Sequence, residues 1–367
     1  MSMITARAAT DGITMAAPPP LLPPRPDAAI HSELRPLGEC EAIRREWADL
    51  SGRALEANPC LDPGFALAAA QHLVSFRDAA LLLLWQGDPG SERRRLVGLV
   101  PCRRRRHLFA PETVEGFADP RLLNGTPLID HSVAEPALTA FLRGWQGHGH
   151  AAGSFPLSGV DPTGAFAATL AQVAERHGVN LAWQHQTEAP PAAAEKSLRG
   201  MGRLSLVEAA NQTDRRDAVE IMLALEASGA RGRAGKATLQ DTREVGFLRS
   251  MSRDLGRRKL CRIALLTLDG RPIAGALTLG AAASSWLYLG VGDEAFAPLE
   301  PLAVLLAMMR KAAPSRRILV PGGQGEGSST LRLTWPQRPR RPADLAARLG
   351  ERLHRPLFRL RPAAADG

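Results

Sequence analysis

The stretch LLTLDGRPIAGALTL, from Leu265 to Leu279, constrains the fold of this chain more tightly than any other. Its two apolar runs are joined by Asp269-Gly270, a pair suited to the positive φ angles of a two-residue hairpin turn, so two antiparallel strands are expected side by side. The first strand reads LCRIALLTL and the second RPIAGALTLGA, and SSWLYLGVG supplies a third. Ahead of them the apolar spacing of DAVEIMLALEAS and REVGFLRSMSRDLGRR predicts two helices; behind them PLAVLLAMMRKAA predicts a helix and RRILVPG a strand. The order is therefore helix, helix, three antiparallel strands, helix, strand.

The first part of the chain has a related order. SELRPLGECEAIRREWADLSGRAL carries apolar residues at helical spacing from Leu34, and LDPGFALAAAQHLV predicts a second helix that starts through Pro63 and Gly64. AALLLLWQG and RRLVGLVPCRRR, separated by a polar turn that contains glycine, predict a hairpin. GTPLID is a short strand candidate, VAEPALTAFLRGW and PTGAFAATLAQVAERHG are helices, and VNLAWQHQ is a strand. A chain of 367 residues with 45% hydrophobic content is long enough for two domains, each with its own core. We expect a disordered Pro-rich leader over 1–30, an α+β domain over 31–188, a linker over 189–198 marked by Pro190 and Pro191, a second α+β domain over 199–350 and a basic tail over 351–367.

Composition excludes several function classes. The net charge of +9 and a pI near 10.3 are carried almost entirely by arginine, with lysine only at Lys196, Lys236, Lys259 and Lys311, and read mainly as a coding bias. The basic runs at 93–95 and 103–106 read as a solvated face or as a peripheral contact with anionic polymer or lipid, without a specific nucleic-acid partner. Aromatic residues make up 5% of the chain, which leaves no stacking platform for single strands. Cys40, Cys60, Cys102 and Cys261 form no CxxC pair, and the histidines of GHGH, His148 and His150, have no third ligand nearby, so no metal is expected. No apolar run approaches the roughly 20 residues of a membrane span and the start lacks a secretory h-region, so a cytoplasmic protein with reduced thiols is expected. The stretch GARGRAGK fails as a phosphate loop, because Ala230 stands at the first glycine position and Ala237 where a hydroxyl should hold magnesium.

The element order resembles acyltransferases of the GNAT superfamily. At the residue level, WADLSGRALEANPCLDPGFALAAAQHL, LVGLVPCRRRR, GTPLID, LEASGARGRAG, LDGRPIAGALTL and GVGDEAFAPLEPLAVLL follow one another as in a bacterial family of tandem-GNAT acetyltransferase-like proteins. That family is CelD-like, associated with cellulose biosynthesis, and related to FemAB-type transferases. The resemblance runs from about Glu33 to Leu349. It implies an α+β fold of two tandem GNAT-like domains, built from mostly antiparallel mixed sheets flanked by helices. It also implies acyl-CoA-dependent N-acyl transfer, with acetyl-CoA or another acyl-CoA as co-substrate and a small-molecule or glycan-precursor amine as acceptor.

The same resemblance distributes the site residues. Donor contacts fall on the end of the third strand, Gly290, Val291 and Gly292, and on the helix start at Pro301. Asp293 and Glu294 match an Asp-Glu pair and read as a general base or as loop caps; Glu226, at a helix end, is a second carboxylate candidate. Tyr288, the only tyrosine, reads as the acid that reprotonates a thiolate or as core packing. Arg231 and Lys236 occupy the lysine and threonine positions of a Trp-Lys-Gly-x-x-Gly-Thr pattern, with Ala230 in place of tryptophan and Gly232 and Gly235 kept. Trp335 and Arg338 match a terminal Trp-x-x-Arg. Three departures, Ala230, Glu300-Pro301-Leu302 in place of Ser-Pro-Gly, and Pro321 in place of aspartate, keep a second expectation open: a GNAT-fold scaffold that binds without catalysing.

Overall fold

A computed structural model describes residues 28–89, 91, 93–105, 113–147, 154–185, 195–280, 284–320 and 329–335. The first half runs β1 (Ile30–Pro36), α1 (Arg44–Arg53), α2 (Pro63–His72), β2 (Ala79–Gln86), β3 (Arg95–Arg105), β4 (Thr113–Gly116), β5 (Leu128–Ile129), α3 (Ala134–Gly147), β6 (Ser154–Val160), α4 (Ala165–His177) and β7 (Asn180–His185). The second runs α5 (Glu195–Met201), β8 (Leu204–Glu208), α6 (Gln212–Ser228), α7 (Ala230–Arg233), α8 (Thr242–Arg257), β9 (Cys261–Leu268), β10 (Arg271–Leu279), β11 (Ser284–Gly292), α9 (Pro301–Ala312), β12 (Arg317–Leu319) and β13 (Ser329–Thr334). Among the described residues no helix is long and apolar enough to cross a membrane.

Mostly antiparallel sheets flanked by helices make up both halves. The first sheet has the order β1-β2-β3-β4, with β5 also on β3, and the second β12-β11-β10-β9-β8. The Asp269-Gly270 turn has the expected positive φ values, 50° and 82°, and joins β9 to β10. A strand, two helices, three antiparallel strands, a helix and a strand occur in each half, so the halves repeat one topology.

Three expectations need correction. The helical spacing read from Leu34 belongs to a strand, β1, a 3-10 segment over Leu37–Ile43 and only then to α1, because pairing with β2 claims the residues up to Pro36. The expected leader over 1–30 lies outside the described residues up to 27, and Ile30 already pairs with Gln86. In addition, the range 199–350 includes β13, which sits in the first half. It inserts between β6 and β7, antiparallel to both, and completes a three-stranded sheet there. The expected tail lies outside the described residues.

Strand β2, AALLLLWQ, is buried along its whole length. Ala80, Leu82 and Leu84 point into the first half's core with α3, α4 and β13, while Leu81, Leu83 and Trp85 point the other way. That other core is shared: it continues through Phe65 of α2 into Phe247 and Met251 of α8 and Val291 of β11. Phe65 and Phe247 meet edge to face at 5.4 Å, and Tyr288 closes the cluster at 5.9 Å from each. Such an unbroken apolar run is what a strand buried on both faces requires. The remaining core lies under α9, against the opposite face of β9 and β10.

Asp130 locks the first half's strands to α1. Its buried carboxylate accepts bonds from Ser132, from Arg53 on α1 at 2.9 Å and from Arg95 on β3 at 2.5 Å. Burial alone would raise its pKa, but the Ser132 and Arg53 hydrogen bonds and the Arg95 charge together hold it below the usual carboxylate value. A carboxylate with a depressed folded pKa contributes stability above its unfolded value, about 3.9, and loses it as pH falls through the folded value. Denaturation midpoints should therefore drop below about pH 4, and Asp130→Asn should flatten that acid limb. The shared core further predicts a single cooperative unfolding transition by calorimetry. Phe247→Ala should lower the stability of the whole chain by about 3–5 kcal/mol without splitting that transition.

Candidate functional site between the two halves

Helix α6 ends at Ser228, and the chain then turns sharply through Gly229, α7 and Gly235. A Cβ at Gly232 would collide with the Ala227 carbonyl, so the turn requires that glycine, and Gly235 takes a left-handed φ of 69° that glycine adopts at least cost. The turn folds back over the Glu226 carboxylate. Glu226, with 5% of its side chain exposed, pairs with Arg231 Nε at 2.9 Å and accepts a bond from the Thr238 amide at 2.8 Å.

This turn forms one wall of a cleft of about 810 Å³ that opens between the halves. Glu226, Arg231, Lys236 and Tyr288 all line it, so four residues singled out from the sequence come together. The first half contributes Pro120, Arg121 and Leu123, and Arg121 reaches across to pair with Glu244 at the start of α8. Arg121 and Glu244 escaped the sequence reading. They stand 123 positions apart, and only the packing of α2 on α8 makes them neighbours.

Tyr288 occupies an irregular position. Leu289 pairs with Leu277 and Leu287 with Thr278, which leaves Tyr288 as the extra residue of a bulge in β11. Its ring packs on Phe65 and Phe247, and it lines the cleft beside Leu289. Burial pushes the phenol pKa upward, with Arg121 opposing weakly, so the hydroxyl stays protonated at neutral pH.

Next to the bulge, β11 and β12 part. They pair in parallel only from Ser284 to Trp286, opposite Arg317 to Leu319. From Leu287 to Gly292 the outer edge of β11 has no strand partner among the described residues. Among the described residues the first half has no such opening. There the strand equivalent to β11 is broken into β4 and β5, both on β3, and the intervening residues 117–127 cross the gap. Gly125 donates to Ser158 of β6 at 2.6 Å, and Asn58 Nδ2 holds the Asn124 and Thr126 carbonyls at 3.0 and 2.7 Å.

The remaining expected residues lie elsewhere. Asp293 and Glu294 line a separate cleft of about 770 Å³ with Leu225 and Arg271. Asp293 accepts from the Ala295 amide at 3.0 Å and pairs with Arg271 at 2.7 Å; Glu294 pairs with Arg233 at 2.7 Å. Val291 points into the shared core. Gly290 and Gly292 receive the start of α9: a Cβ at Gly290 would lie 2.7 Å from Leu302 and one at Gly292 would lie 3.2 Å from Pro301. Trp335 packs at a tilt on Trp145 against the first half's core, with ring centroids 5.9 Å apart, and Arg338, His148 and His150 lie outside the described residues. All four cysteines are buried, and burial pushes the Cys40, Cys60 and Cys261 thiols up to about 12, so none is a ready nucleophile. Among the described residues no three His, Cys, Asp or Glu side chains gather to hold a metal.

The open edge of β11 fits an extended acyl-donor arm, which would pair with its free backbone groups. The start of α9 does not fit a pyrophosphate. Pro301 lacks an N–H, Leu302 lies over Gly290, and Glu300 adds a carboxylate at the helix N-cap in a left-handed conformation.

Residues 191–320, about a third of the chain, match the family model of the acetyltransferase (GNAT) domain. No curated protein sequence matches the chain. Among solved structures, FemX is similar at 11% identity and a TM-score of 0.42, over 83% of this chain and 91% of that one. A tandem GNAT protein from the clavulanic acid biosynthesis pathway is similar at 13% identity and 0.35, over 84% and 100%. L-PGS from Bacillus licheniformis is similar at 8% and 0.37, over 70% and 86%.

The two glycines of the turn differ in what they tolerate. Gly232→Ala must push α7 away from α6 and should lower stability by about 1–3 kcal/mol. Gly235→Ala faces open space and should cost only about 1 kcal/mol for its left-handed backbone. Denaturant midpoints of the two variants check the ranking.

Proposed function

We propose that the chain is an N-acyltransferase whose second half takes the activated acyl donor along β11 and whose acceptor amine enters the cleft between the halves. One observation carries this reading: within a segment that matches the GNAT domain, the unpaired edge of β11 runs past the Tyr288 bulge, which also lines the cleft. The sequence resemblance supports an acceptor that is a small-molecule or glycan-precursor amine. The donor supplies an acyl group activated as a thioester.

In the transfer a carbon–nitrogen bond forms and the carbon–sulfur bond breaks. The acceptor's ammonium loses two protons in all: one leaves before attack, and the second, lost as the amide forms, is matched by the proton the departing sulfur takes up. Glu226 is the carboxylate placed to draw the acceptor's ammonium and receive its proton, since each carboxylate oxygen keeps a lone pair beyond its bond to Arg231 or Thr238. Tyr288, held protonated, donates a hydrogen bond toward the reacting groups. Packing of the first half over the turn keeps bulk water from one side of the cleft.

The start of α9 favours a second reading, a scaffold that keeps the fold and binds without transfer, because Glu300, Pro301 and Leu302 oppose a phosphate there. Calorimetry with acetyl-CoA and the full chain, with thiol release in the presence of an amine, decides between them. Transfer predicts saturable binding that strengthens in Glu300→Gln and Leu302→Gly, and a loss of about 10²-fold in turnover in Tyr288→Phe at unchanged donor affinity. If neither the parent chain nor the two α9 variants bind acyl-CoA at millimolar concentration, the scaffold reading stands.

A further inference from the structure

The charges of the cleft narrow the ligand class. Three cations, Arg121, Arg231 and Lys236, and three carboxylates, Glu226, Asp241 and Glu244, line it. Two of the cations are committed: Arg121 to Glu244 across the halves, and Arg231 to Glu226. Asp241 is committed as well, because its carboxylate caps α8 by accepting from the Arg243 and Glu244 amides at 2.9 and 3.4 Å. Among the described residues, the Lys236 ammonium is left as the charged group of the cleft with neither a side-chain nor a backbone partner. The Lys236 carbonyl is tied to Arg231 at 3.2 Å and its amide to the Arg231 carbonyl at 2.8 Å, so the backbone under its ammonium is fixed.

A wholly anionic ligand would meet three carboxylates here, and a wholly cationic one would meet the guanidinium groups and Lys236. A dipolar ligand meets both with the matching sign. The volume, about 810 Å³, suits a small molecule or a headgroup. Resting on the reading of this cleft as the acceptor site, we infer that the acceptor carries an anionic group, carboxylate or phosphate, close to its amine, with the anion on Lys236 and the amine toward Glu226.

The test uses direct calorimetric binding to the full chain at low salt, with no acyl donor present. Two matched pairs serve as probes: glucosamine 6-phosphate against glucosamine, and glycylglycine against glycylglycinamide. The anionic member of at least one pair should bind about tenfold or more tightly than its neutral partner, and the preference should fall with added salt and collapse in Lys236→Met. Lys236 is exposed, so that variant should keep its circular dichroism and unfolding midpoint. The pair that discriminates identifies phosphate or carboxylate. Equal or tighter binding of the neutral members overturns the inference, as does a preference that survives Lys236→Met, or no binding of any probe. Acyl-CoA binding measured on the same preparation reports on the transfer reading separately. If acyl-CoA fails to bind while a Lys236-dependent preference persists, the ligand class holds and transfer does not.

Discussion

The packing of α2 on α8, centred on Phe65 and Phe247, is the contact on which the rest of the structure depends. Neither half can bury its apolar surface alone. The Leu81, Leu83 and Trp85 face of β2 would be left in water without the second half, and β6 and β7 would be left unjoined without β13. The chain therefore crosses twice between halves, once through a common core and once by lending its last described strand. Burial on this scale is worth far more than the surface ion pairs that flank the interface, such as Arg121–Glu244, which register the two halves without carrying their association.

Repetition of one topology with two outcomes gives the site its asymmetry. In the first half, residues 117–127 interrupt the strand that β11 represents in the second, and they close the gap toward β6 with their own backbone bonds. The same excursion delivers Arg121 and Leu123 to the neighbouring cleft. One copy of the fold thus fills its own opening and becomes a wall for the other. In the second half the strand stays continuous, absorbs one extra residue at Tyr288 and, among the described residues, keeps a free edge.

Much of this was legible in the sequence, for reasons that differ by element. The β9–β10 hairpin is specified by turn chemistry at two adjacent residues, and β2 by an apolar run too dense for a one-sided strand. Strand β1 carries a helical spacing, and β6, β8 and β13 carry no local signal, because these strands take their register from partners distant in the chain. Glu226, Arg231, Lys236 and Tyr288 could be singled out because they sit on or beside a recognisable helix end and strand. Their meeting with Arg121 and Glu244 has no local signature, since it follows from how the halves pack.

The glycine-rich turn after α6 shows how a failed motif can still organise a site. Its Gly232, on α7, approaches the Ala227 carbonyl at the end of α6. That close approach brings Arg231 back over Glu226 and sets the Thr238 amide on the other carboxylate oxygen. A buried carboxylate is tolerated only when such partners compensate its lost hydration, so the turn and Glu226 are mutually dependent. The consequence is a cleft wall with its charges already paired, in which the Lys236 ammonium remains to choose among ligands.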